Sequence, residues 1–283
     1  MTEETKNITE EESKLETADV EDEDEVSADE PSLGVEEKEL FDRMMEAGVF
    51  YGRSKSKTNP LTRKYIVTTR SGFEVIDLRK AMESLKRAGE ILKNIFENNG
   101  VVLFVGTSPA VKDAIKETAE RLGSPYVIER WLGGTLTNFN TIIKRISYFK
   151  KLKEDKANGR LEKYTKKEQS DMDKELAKLE NFFGGIESLE KIPSMIFIAD
   201  ISENEYAAKE AKLKKVPVMG FLNTDTDPTL LDHSIPGNDR NIKSVKLLMD
   251  YLAEVALEGK KQASIKNAEA EASTGNTPVN GGK

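Results

Sequence analysis

Apolar and polar positions follow several distinct periods along this 283-residue chain. Continuous apolar runs at 101–105 and 195–199 have the character of strands buried on both faces. Shorter runs at 126–128 and 216–219, the latter extended by Phe221 and Leu222, predict two more strands. Runs rich in β-branched and aromatic residues at 65–69 and 73–77 flank Arg70-Ser71-Gly72 and predict a β-hairpin. Helical spacing of Ala81, Leu85, Ala88, Leu92 and Ile95 predicts a helix from an Asp77 cap to about Asn98. Ser108 as N-cap and Pro109 as first helical residue predict a second helix, ended by Gly123. Ser202 and Glu205 have the spacing of a capping box, opening a helix to about Lys214. A short helix is expected over 36–48, and a final one through Leu257, stopped by Gly259.

Between these elements lies a segment with narrower apolar stripes. Phe139, Ile142, Ile146 and Phe149 recur at intervals of three and four. Asn158-Gly159 supplies a bend, and Thr165 with Glu168 forms a capping box that starts a second helix. Met172, Leu176, Leu179 and Phe183 give that helix its own seam. Two such helices predict an antiparallel coiled-coil hairpin. It would project about 27 Å at ~1.5 Å per residue.

The strand–helix alternation places the chain in the α/β class, with right-handed crossovers joining parallel strands. The expected organisation is an acidic disordered tail over 1–35 and an α/β core over 36–137 and 184–259. The coiled-coil hairpin is inserted at 138–183, and a second disordered tail covers 260–283.

Charge sharpens that division. Residues 1–38 hold sixteen acidic and three basic side chains, a net −13, which hides a net +5 in the rest of a chain whose total is −8. A self-repelling acidic block at 21–25 argues against packing there. The basic excess is concentrated. Seven basic residues and one acid lie from Arg43 to Arg70, and ten basic against three acidic residues lie over 144–167. The chain has no cysteine, which excludes disulfides and thiolate metal sites and fits a cytosolic protein. No signal peptide is expected at the acidic N-terminus, and no apolar run reaches the ~18 residues a membrane helix needs.

Candidate chemistry is sparse. The loop carrying Arg53, Lys55, Lys57, Arg63 and Lys64 beside Phe50 and Tyr51 fits a solvated basic loop. It equally fits a nucleic-acid surface, where cations meet phosphates and aromatics stack on bases. The stretch Arg130-Trp131-Leu132-Gly133-Gly134-Thr135 reads most simply as a tight turn and helix cap with Trp131 plugging the core. Its alternative is a loop offering Arg130 and open amides to an anion. Gly106-Thr107-Ser108 could hold a phosphate at a helix start, but the dinucleotide and P-loop glycine patterns are missing, so a structural turn is favoured. Asp225 and Asp227 lack the ligand spacing of a metal loop, and the sole histidine, His233, reads as a surface loop residue. No enzyme chemistry, metal site or cofactor is expected.

Several segments together resemble the bacterial small-subunit ribosomal protein family conventionally numbered two, collinearly from about Glu39 to Glu258. RWLGG-x-LTNF-x-TI at 130–142 and IPGND at 235–239 are its most specific signatures. Tyr65-Ile66, Ile76-Asp77-Leu78, Val105-Gly106-Thr107, and the signature over Pro193 to Pro217 with Asp200 and Glu210 also match. There are departures. The family's two early histidines are Phe50 and Arg53 here, and its tryptophan before Asn-Pro is Thr58. A metal or imidazole role is therefore not carried over to these positions. Ser108-Pro109-Ala110 replaces basic residues, and Asn223 replaces an aspartate. The resemblance implies a flavodoxin-like three-layer core with a parallel sheet, an N-terminal β-hairpin and the inserted coiled coil. It implies a non-catalytic constituent of the cytoplasmic small ribosomal subunit that binds small-subunit rRNA and neighbouring ribosomal proteins. The large mRNA-binding ribosomal protein numbered one is a further implied partner. The first candidates for phosphate contacts are Arg53, Lys55, Lys57, Arg63 and Lys64. Arg130, Lys144, Arg145, Lys150 and Lys151 come second.

Overall fold

The computed structural model describes residues 34–161 and 163–274. The acidic block lies outside the described residues, with 1–33 of the first expected tail and 275–283 of the second; the expected disorder over 260–274 is not found, since those residues are helical. From Glu37 onward the described chain forms one compact unit.

In chain order the helices are α1 (Val35–Glu46), α2 (Leu78–Glu97), α3 (Lys112–Arg121), α4 (Phe139–Ala157), α5 (Lys166–Phe183), α6 (Glu205–Leu213) and α7 (Ile242–Thr274). The strands are β1 (Tyr51–Ser54), β2 (Ile66–Arg70), β3 (Phe73–Ile76), β4 (Val102–Val105), β5 (Tyr126–Val127), β6 (Met195–Ile198), β7 (Val218–Leu222) and β8 (His233–Pro236). They form two sheets, an antiparallel β1-β3-β2 and a wholly parallel β5-β4-β6-β7-β8. The five-stranded order is that of a doubly wound α/β sheet with one reversal of direction at β4.

The apolar runs explain this sheet. Every residue of β4, β6 and β7 is buried, so each strand needs cover on both faces. Leu103, Val105, Ile196, Ile198 and Val218 join one cluster with Trp131, Leu136, α6 and the buried side of α4 and α5. Phe104, Phe197 and Phe221 alternate to the opposite side, with ring centroids 5.6 and 5.3 Å apart. Helix α7 packs against both α2 and α3.

Four local expectations need correction. Gly259 does not stop the last helix, which continues to Thr274. A Cβ at Gly259 would fall on the Lys93 carbonyl oxygen, so the glycine lets α7 approach α2 closely and does not break it. Ser108 precedes α3 as part of a turn, its carbonyl accepting from Val111 and Lys112 N–H groups, and Val111 is the cap. The Ser202 capping box does not form; Asn204 stands at the N-cap of α6 without a side-chain cap bond. His233 belongs to β8, an edge strand at the end of the parallel sheet, where a surface loop was expected. By contrast the Thr165–Glu168 capping box forms in both directions.

Helices α4 and α5 contact each other, and their proximal halves bury Ile142, Ile146, Phe149, Leu152, Leu176 and Phe183. Among the described residues from Lys153 to Glu175, none is buried. No described helix is long and apolar enough to cross a membrane.

Candidate nucleic-acid interface

Three internal carboxylate centres fix the loops that could otherwise receive a ligand. The first is Glu210, on α6. Its Oε1 accepts from the Gly134 N–H at 2.7 Å and the Trp131 indole N–H at 3.2 Å. Its Oε2 accepts from the Leu136 and Thr137 N–H groups and the Thr137 hydroxyl, all at 3.1 Å. Burial pushes this carboxyl up, but the hydrogen bonds from Gly134, Thr137, Leu136 and Trp131 outweigh it and hold the group below the usual range. The amides of the glycine turn thus have an anion already, supplied by the protein. Gly134, at φ +92°, adopts the backbone that this arrangement needs.

The second centre is Asp200, directly after β6. Its Oδ2 accepts from the Ser108 N–H at 2.7 Å, the Thr107 N–H at 2.9 Å and the Thr107 hydroxyl at 3.2 Å. The Asn204 amide donates to Oδ1 at 2.8 Å, which explains why Asn204 does not cap α6. The residue is 2% exposed, and burial pushes its carboxyl up to about 6 against the pull of the Ser108 and Thr107 bonds. The turn after β4, where a phosphate would bind, is filled by this side chain.

The third centre ties the early basic loop to the end of the sheet. The Arg53 guanidinium reaches Asp225 Oδ2 and Asp239 Oδ1, each at 3.1 Å. Asn223 also donates to Asp239 Oδ1, at 2.7 Å. Burial raises the Asp239 carboxyl, opposed by Asn223 and Arg53. The Arg53 N–H donates to the Thr224 hydroxyl, while the Asn59 N–H and the Thr62 hydroxyl donate to the Thr224 carbonyl. The loop is therefore pinned at three points and held in one shape. No group of three or more metal-ligating side chains is gathered among the described residues.

The ten sequence-predicted cations fall into two classes. Arg53 is half-buried and committed to two carboxylates of its own chain. Lys55, Lys57, Arg63, Lys64, Arg130, Lys144, Arg145, Lys150 and Lys151 are exposed, and among the described residues none forms an ion pair. Lys55 and Lys57 lie on a 3-10 turn, and Arg63 and Lys64 on a second one opened by Asn59 and Pro60. Lys144, Arg145, Lys150 and Lys151 lie along α4. Sequence reasoning saw the signature positions Asp200, Glu210 and Asp239 without assigning what they do. A bonding partner 73 to 79 residues away, as between Glu210 and the glycine turn, leaves no local signal.

Residues 44–259 match the family model described as Ribosomal protein S2. The small ribosomal subunit protein uS2 of Fusobacterium nucleatum subsp. nucleatum is 44% identical over 228 residues, covering 80% of this chain and 92% of that relative.

Proposed function

The chain belongs to the ribosomal protein S2 family, structural constituents of the small ribosomal subunit and not enzymes, and from that premise we propose that it grips small-subunit rRNA on the cytoplasmic bacterial ribosome by neutralising phosphates. The family match over residues 44–259 carries the reading. The nine exposed cations support it, since free Lys and Arg side chains release counterions when they meet a phosphate backbone.

In this reading Lys55, Lys57, Arg63 and Lys64 contact the backbone from the pinned loop, and Arg53 keeps that loop in its shape. Arg130, Lys144, Arg145, Lys150 and Lys151 form a second contact line. The α/β core is flavodoxin-like, β2 and β3 act as its N-terminal hairpin, and α4 with α5 projects as a coiled-coil arm. The absence of buried residues among those described from Lys153 to Glu175 supports the last point. Neighbouring small-subunit proteins, including the large mRNA-binding protein numbered one, are the proposed protein partners.

Filter binding of protein-free small-subunit rRNA across a salt series tests the loop. Replacing Lys55 and Lys57 by alanine flattens the slope of log affinity against log salt by about one to two units. An unchanged slope removes that loop from the interface.

A further inference from the structure

A cleft opens where the glycine turn meets the base of α4 and α5. Its volume is about 410 Å³, within the ~300–1,000 Å³ range of sites that enclose a small ligand. Leu132, Leu179 and Phe182, all half-buried, give it apolar walls, and Arg145 and Lys178, both exposed, are its charged lining. No acidic side chain lines it. Other cavities differ: one is lined by Glu129, Glu180 and Glu187, and another holds Lys260, whose ammonium already donates to the Leu122 carbonyl.

Gly133 supplies the second observation. Its φ lies outside the left-handed region, and a Cβ built there meets no atom within 4 Å. Neither backbone conformation nor packing within the chain requires a glycine at this position. The space it leaves adjoins the cleft that it lines.

An aromatic ring and aliphatic walls next to two cations match the two halves of a nucleotide. A base has a π-face for Phe182, and a phosphate pairs with Arg and Lys. We propose that this cleft takes one unpaired nucleotide of the small-subunit rRNA, its base against Phe182 and its phosphate held by Arg145 and Lys178. The inference rests on the RNA-binding reading above and adds to it a base-stacking contact.

The test uses the full-length chain and small-subunit rRNA over a salt series. Stacking is not a counterion effect, so Gly133→Ala and Phe182→Leu each lower affinity about tenfold at every salt with an unchanged slope. Arg145→Gln instead flattens the slope by about one. If Phe182→Leu fails to fold, Gly133→Ala decides, because its methyl group enters open space. Wild-type affinity in Gly133→Ala overturns the proposal. In native small subunits, ultraviolet irradiation is expected to leave a nucleotide adduct on Phe182. A cross-link from this cleft to a neighbouring protein also overturns it. Loss of wild-type rRNA binding would strike the RNA-binding reading itself, a result distinct from failure of the variant alone.

Discussion

Asp200 stands at the place where an open α/β sheet ordinarily receives its ligand. That place is the crevice beyond the strand ends at the reversal of strand order, here between β4 and β6. Its carboxylate takes the Thr107 and Ser108 amides that a phosphate would use. Glu210 does the equivalent at the glycine turn. The Gly106 turn reads from sequence as structural because the glycine patterns of nucleotide sites are missing, and the Gly133-Gly134 turn because a glycine pair permits a sharp bend. The helix cap expected beside it does not form, since Asn138 stands at the N-cap of α4 without a side-chain cap bond. The residues that fill the two turns could not be read, because each comes from a distant strand end or helix. The Thr165–Glu168 box was legible because its two bonds, Thr165 N–H to the Glu168 carboxylate and Glu168 N–H to the Thr165 hydroxyl, span three residues. Asn204 was not, because its amide turns to Asp200 and Thr107. Asp200 also predicts a pH effect. Its folded-state carboxyl titrates at about 6, above the ordinary 3.8, so the folded state binds the proton more tightly than the unfolded chain. The buried carboxylate therefore costs stability above about pH 6, and that cost is relieved as pH falls from about 6 towards about 4, by roughly 3 kcal/mol in all. Urea unfolding across that window should show the gain in the wild-type chain and its loss in Asp200→Asn. Parallel curves for the two proteins would contradict it.

At the scale of elements, burial decided what was legible. Strands β4, β6 and β7 announce themselves as uninterrupted apolar runs because both faces are covered. Strands β1 and β8 read as loops because they carry Gly52, Arg53, Ser54, His233 and Ser234, whereas the edge strands β2 and β5 were legible from their β-branched and aromatic residues. Helix α7 shows the opposite error. A glycine followed by polar residues has the look of a terminus, yet Gly259 is held against α2 and Ala263 beyond it is buried. Gly259→Ala tests this explanation. Helix propensity alone favours alanine by about 0.8–1.0 kcal/mol. The new methyl group would meet backbone carbonyl, which cannot swing aside, so overpacking of ~1–3 kcal/mol prevails. A lowered thermal midpoint is expected, and a raised one would mean that α7 does end near Gly259.

Over the whole molecule, the total charge of −8 conceals an acidic N-terminal segment attached to a basic body. Lys55, Lys57, Arg63 and Lys64 on the pinned loop and Lys144, Arg145, Lys150 and Lys151 on α4 form no ion pair among the described residues, whereas Lys153 and Lys156 farther along α4 pair with Glu187 and Asp173. That distribution suits a protein whose partner is a phosphate polymer and whose own clefts at the sheet end are closed by internal carboxylates. The most direct test is sucrose-gradient fractionation of native lysate at increasing salt. The chain should sediment with small subunits at low salt and be progressively stripped from them as salt rises. Recovery of the chain apart from small subunits at every salt would contradict the account.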